Sequence, residues 1–109
     1  MQPIRGFVLK NQGGFVCAGK ISYIDDAGGD GLTDDYGKEP LGQSETMDAA
    51  AKNVPDGSIM RLYIWIEAGD DRTGAPYFLC DYSSPDFAHY TVSGTTLNST
   101  VTLDGVYPA

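Results

Sequence analysis

The 109-residue chain holds one histidine, one tryptophan, two cysteines and seven basic residues against fifteen acidic ones. These scarcities exclude several classes of protein. A single histidine cannot build a multi-histidine metal centre within one chain. Cys17 and Cys80 lie too far apart for a CxxC motif or a zinc-finger spacing. They read as two buried, reduced thiols, with a single bridge between strands as the alternative. A formal charge of −8 at pH 7 leaves no positive excess for a phosphate backbone, so no nucleic acid is expected as a partner. No window approaches the roughly 18 apolar residues of a membrane-spanning helix, so no transmembrane segment is expected. The opening Met1-Gln2-Pro3-Ile4-Arg5-Gly6 lacks the basic start and apolar run of a secretory signal. The expectation is a cytoplasmic protein, or one released by a route that needs no such signal.

What is present is the composition of one folded domain spanning residues 1–109, with 41% hydrophobic and 20% charged residues. Fourteen Gly and six Pro imply many turns. The apolar spacing is mostly of period two, the mark of strands. Ile4 to Lys10 and Phe15 to Asp25 read as strands joined at Gly13-Gly14, an N-terminal hairpin. Asp26 to Gly42 loses the pattern and reads as one long loop. Gln43 to Ala50 reads as a strand near an edge, with a helical turn as the alternative at Ala49-Ala50-Ala51, and Pro55-Asp56-Gly57 as a turn. Ser58 to Ala68 alternates strictly. Met60, Leu62, Ile64 and Ile66 share one side, and Ile59, Arg61, Tyr63, Trp65 and Glu67 share the other. Further strands are expected over Tyr77–Tyr82, Phe87–Thr96 and Ser99–Val106. The fold class is therefore all-β: an antiparallel β-sandwich of about seven strands, with a partly closed barrel as its rival. An immunoglobulin arrangement does not fit, because Trp65 precedes Cys80 instead of following Cys17.

Two constellations stand out. On Ser58–Ala68 the aromatic pair Tyr63 and Trp65 is flanked by Arg61 and Glu67. Charged groups are almost never fully buried unless paired, so this side is expected to meet solvent, a loop or a partner. Exposed, the four residues form a platform for a lipid or glycan surface, and Tyr77, Tyr82, Phe87, Tyr90 and Tyr107 are available to enlarge it. A single bulge in the strand would instead turn Trp65 inward. The second constellation is acidic: Asp26, Asp30, Asp34 and Asp35, with Asp25 beside them and no basic residue between. Carboxylates this close in sequence repel one another unless a cation lies between them, so a calcium loop is one reading and a solvated loop the other. An EF-hand does not fit, since a count from Asp26 puts Gly37 where the bidentate Glu belongs.

Catalytic patterns are thin. His89 lies within a predicted strand, and no GxSxG elbow accompanies Ser83, Ser84, Asp81 or Asp86. Nothing local joins Cys17 or Cys80 to His89, and no phosphate-cradling glycine motif occurs. Asn98-Ser99-Thr100 matches a glycosylation sequon, but Asn98 reads as a turn residue. No enzyme is expected. The segment Tyr90-Thr91-Val92-Ser93-Gly94 resembles a strand segment of aegerolysin-type proteins, small acidic β-sandwiches without signal peptides that bind membrane lipids. The likeness spans five residues of 109 and assigns no functional residue; it implies a lipid-binding or toxin-like module. The expected function is a non-catalytic binding module for a lipid or glycan surface. The alternative is an acidic protein-interaction module, such as an inhibitor, immunity protein or assembly subunit, docking on a basic partner.

Overall fold

The strictly alternating segment forms the central strand of one of two sheets. A computed structural model describes residues 1–109. It contains strands β1 (Pro3–Ile4), β2 (Gly6–Asn11), β3 (Cys17–Ile24), β4 (Asp30–Leu32), β5 (Lys38–Glu39), β6 (Ser44–Asp48), β7 (Ile59–Ile66), β8 (Arg72–Thr73), β9 (Phe78–Cys80), β10 (Asp86–Thr95) and β11 (Asn98–Pro108). The first sheet runs β1-β9-β7-β3-β4, with β5 also on β3 and β8 also on β7; the second runs β11-β10-β2-β6. The chain is thus an all-β sandwich without a closed barrel. Two pairings, β1 with β9 and β2 with β10, are parallel. A 3-10 turn at Ala49–Lys52 follows the edge strand β6, where both helical turn and edge strand were legible. No helix is long and apolar enough to cross a membrane.

The core lies between the sheets. From the first sheet come Cys17, Ile21, Met60, Leu62, Ile64, Ile66 and Phe78; from the second come Phe7, Leu9, Met47, Ala88, Tyr90 and Val92. Phe7 meets Phe78 edge-on at 6.1 Å and Tyr90 at 6.0 Å, joining the two walls. Tyr90 keeps its hydroxyl satisfied by donating to the Ala75 carbonyl at 2.8 Å. Cys17 and Cys80 are both buried and unbonded; burial pushes their thiols up to about 12 and about 11.

Two sequence expectations need correction. The N-terminal pair is not a hairpin: β2 pairs with β6 and β10, whereas β3 pairs with β7 in the opposite sheet. Phe7 and Leu9 face the core from one wall, Cys17 and Ile21 from the other, so the Gly13-Gly14 turn crosses between walls. Buried Asn11 stitches the crossing. Its Nδ2 donates to the carbonyls of Phe15 at 2.7 Å and Glu39 at 2.9 Å, and its Oδ1 accepts from the Gly13 amide at 2.8 Å. Nor is Asp26–Gly42 a single open loop. It runs along β3 and pairs with it twice, as β4 and β5, while Tyr36 donates its hydroxyl to the Asp48 carbonyl at 2.6 Å.

Glu39 is the unexpected member of the interior, only 1% exposed. Its Oε2 accepts from the Cys17 thiol at 3.7 Å, and its Oε1 has no partner. Burial, with a smaller push from Glu45, raises its pKa from 4.5 to about 8. The folded chain therefore holds this proton more tightly than the unfolded chain. The associated stability is complete below the unfolded value near 4.5 and is lost as pH rises towards about 8. Melting temperatures are expected to fall over that interval, and Glu39→Gln should flatten the fall; an equally steep fall in the variant would place its origin elsewhere. For the core, Leu62→Ala is expected to cost roughly 2–5 kcal/mol in chemical denaturation. An unchanged midpoint would mean that this face does not hold the core.

Candidate functional site on the outer face of the first sheet

Alternation places Ile59, Arg61, Tyr63 and Trp65 on the side of β7 away from the core, each partly buried. No bulge interrupts the pairing of β7 with β3, so Trp65 keeps its outward side. The register then sets the neighbours: Trp65 lies opposite Ala18, Tyr63 opposite Lys20 and Thr73, and Arg61 opposite Ser22. On the same side, Leu32 of β4 lies opposite Ser22, and Lys38 of β5 lies opposite Ala18.

Three of these outward groups, Arg61, Tyr63 and Trp65, are each met by a residue from outside the strand. The Arg61 guanidinium lies 5.0 Å from the ring centroid of Tyr77, while its buried Nε has no hydrogen-bond partner. The Tyr63 hydroxyl donates to the Asp71 carboxylate, and that bond holds the phenol above its ordinary pKa. The ammonium of Lys38 lies 5.6 Å from the ring centroid of Trp65. Between these contacts opens a concavity of about 360 Å³ lined by Ser22, Asp30, Gly31, Leu32, Arg61 and Tyr63. It offers a guanidinium, a carboxylate, two hydroxyls and an apolar side chain to one ligand.

Of the four residues expected to form the platform, Arg61 and Tyr63 line this concavity. Trp65 lies further along the strand beneath Lys38, and Glu67 is exposed beyond the strand end, its amide donating to the Val16 carbonyl at 2.9 Å. Sequence reasoning named Tyr77 as a possible addition but missed Ser22, Leu32, Asp71 and Lys38 as parts of this face. The register with β3 brings in Ser22, Leu32 and Lys38, whereas Tyr77 and Asp71 arrive from the segment after β7, and no local pattern records either placement. Among the further aromatics, Tyr77 joins the face, whereas Tyr90 and Phe87 are buried and Tyr107 stacks on His89 at 3.7 Å in the other sheet.

The acidic constellation is dispersed. Asp26, Asp30, Asp34 and Asp35 are all exposed, and no three such side chains lie close enough together to hold a metal ion. Asp30 turns to the concavity, and Asp35 Oδ1 accepts from the Gly37 amide at 3.0 Å. Neighbouring Asp25 is occupied with the amides of Ala27 and Gly29 at 3.0 and 2.8 Å. His89 Nε2 lies 3.0 Å from the Tyr107 carbonyl, while Ser83 donates its hydroxyl to Asp81 at 2.7 Å. With the carboxylates apart, millimolar calcium is expected to leave the melting temperature where EDTA leaves it. A calcium-dependent rise would show that the loop gathers them around the ion.

No protein-family model matches the chain, and no curated protein matches it. Some solved structures are similar in shape. Pneumolysin is 13% identical with a TM-score of 0.49, the match covering 90% of this chain and 22% of pneumolysin. Listeriolysin O is 14% identical with a TM-score of 0.47, covering 91% and 22%. The membrane-binding domain of pneumolysin is 16% identical with a TM-score of 0.46, covering 88% of this chain and 91% of that domain. The chain thus spans only about a fifth of pneumolysin and of listeriolysin O, at 22% of each. Likenesses this distant carry no argument about function.

Proposed function

We propose that this chain is a non-catalytic β-sandwich module that binds a lipid or glycan surface through the outer face of its first sheet. The observation that carries the reading is the concavity around Arg61 and Tyr63, where charged, hydroxyl and apolar groups converge on one solvent-facing surface. Three of the seven basic residues, Lys20, Lys38 and Arg61, lie on this face of a strongly acidic chain. A net charge of −8 disfavours an anionic bilayer. A neutral or zwitterionic surface avoids that repulsion, with a phosphate or hydroxyl meeting Arg61 and a cationic or hydroxyl group meeting Asp30. The non-catalytic part of the reading draws on the groups that chemistry would need: His89 is stacked against Tyr107, and the Cys17 thiol is pushed up to about 12.

A protein partner is the second reading, and one observation favours it. The chain has a single ion pair, Arg5 to Asp48 at 2.9 Å, so most of its fifteen acidic groups have no basic partner within the chain.

Phosphatidylcholine vesicles and an array of neutral glycans test the first reading. Binding is expected to shift Trp65 emission to the blue, and Arg61→Ala and Tyr63→Ala are each expected to weaken it about tenfold with the fold retained. No retention on any vesicle or glycan, together with capture by basic proteins that dissolves as salt rises, would replace it with the second reading.

A further inference from the structure

Lys38 and Glu39 make up the whole of β5, and their side chains take opposite sides of it. Outward, Lys38 covers Trp65 at 5.6 Å. Beneath them Ala18, although on the outer side of its strand, is only 1% exposed. Inward, Glu39 enters the core beside Cys17. One short piece of chain is therefore anchored by a buried acid and covers the single tryptophan with its other face.

The segment around β5 is fixed at its ends, where the Tyr36 amide donates to the Gly19 carbonyl at 2.9 Å and the Gly42 amide to the Asn11 carbonyl at 2.7 Å, and β5 between them is held lightly. It has two residue pairs with β3 and one bond from Asn11 Nδ2 to the Glu39 carbonyl. It lies between Gly37 at φ 119° and Gly42 at φ 87°, left-handed backbone that favours glycine. Ionised Glu39 would find no cation inside. The titratable groups facing it are Cys17 from β3, whose thiol stays neutral, and Glu45 from β6, whose carboxylate repels it. Glu45 Oε2 also lies beside Gly37, 3.9 Å from the place of a Cβ there. The neighbour from β2, Asn11, is uncharged and engaged with backbone carbonyls. Lys38, the one nearby cation, points to the other side of the strand. A charge at Glu39 is satisfied only by reaching water, which requires β5 to leave its seat.

Resting on the reading of this face as the contact surface, we infer that β5 is a proton-operated strap over Trp65, seated while Glu39 is neutral and released when Glu39 ionises. In the release the Glu39 carboxyl gives its proton to solvent, the carboxylate moves to water, and Lys38 departs from the indole with it. The strap thereby joins the protonation of one interior acid to the exposure of the contact surface, and higher pH uncovers Trp65. The burial that lifts the Glu39 proton affinity to about 8 places this change near neutral pH.

Trp65 is the only tryptophan, so its emission reads the strap without any ligand. From about pH 5 to about pH 9 the wild-type emission is expected to move to the red, and acrylamide quenching to rise several-fold, with far-UV circular dichroism unchanged. The midpoint should coincide with the titration of the Glu39 carboxyl carbon followed by 13C NMR. Glu39→Gln, which cannot ionise, should abolish the shift. A shift that persists in Glu39→Gln, a Glu39 carboxyl that titrates in the ordinary range, or loss of the dichroism in step with the emission would each overturn the strap. Should Glu39→Gln fail to fold, the NMR and fluorescence midpoints of the wild-type chain decide the matter. A strap transition without vesicle or glycan binding would leave the strap standing and overturn the contact-surface reading; binding without a strap transition would do the reverse.

Discussion

The alternation along β7 is the constraint on which the rest of the structure depends. Met60, Leu62, Ile64 and Ile66 are at most 1% exposed, which commits every intervening side chain to the outside of the sheet. A tryptophan, a tyrosine and an arginine placed outside a sheet need partners for their rings and polar atoms. Those partners come from the chain after β7, as Asp71 and Tyr77, and from the segment along β3, as Lys38. The candidate site is thus a consequence of how the core is filled. Shifting β7 by one residue would move its aliphatic stripe to solvent and its charged groups into the core, so stability and surface chemistry are fixed by the same register.

What the sequence made legible follows from range. Period-two alternation and turn residues act over a few positions, so β7, the β10–β11 pair and the Pro55-Asp56-Gly57 turn were readable. The sandwich followed from their number. Which wall a strand joins is decided elsewhere. The Gly13-Gly14 turn exists, but β2 takes β10 as its parallel partner, and nothing near β2 in the chain announces a strand that begins at Asp86. β5 was illegible for another reason. Two residues have no period, and Lys-Glu carries no apolar signal. Glu39 lies inside because its carboxyl fits against a thiol and because Asn11 fixes its carbonyl, both of which are tertiary facts. The outward side of Arg61, Tyr63 and Trp65 was legible from alternation alone; the concavity beside Arg61 and Tyr63 needed the register with β3 and β4.

The acidity of the chain has a local origin that sequence spacing disguises. Four aspartates accept a hydrogen bond from the amide two residues further on: Asp25 from Ala27, Asp35 from Gly37, Asp48 from Ala50 and Asp81 from Ser83. A fifth, Asp56, accepts from the amide of Tyr82. A sandwich with many reversals leaves amides unpaired at each turn, and a short carboxylate satisfies them where the sheet cannot. At Asp81 the bonds from Ser83 hold the carboxyl below its ordinary pKa, so the charge is an advantage to the turn. The same demand acts at two of the aspartates between 25 and 35. Asp25 and Asp35 point their carboxylates at the amides of their own turns while Asp30 faces the concavity, so these side chains do not converge on one point. An acidic chain built this way repels anions over most of its surface. Lys20, Lys38 and Arg61, three of the seven basic residues, are drawn to one sheet face by the registers of β3, β5 and β7, so the positive charge of this acidic chain is gathered where the sheet pairing places it.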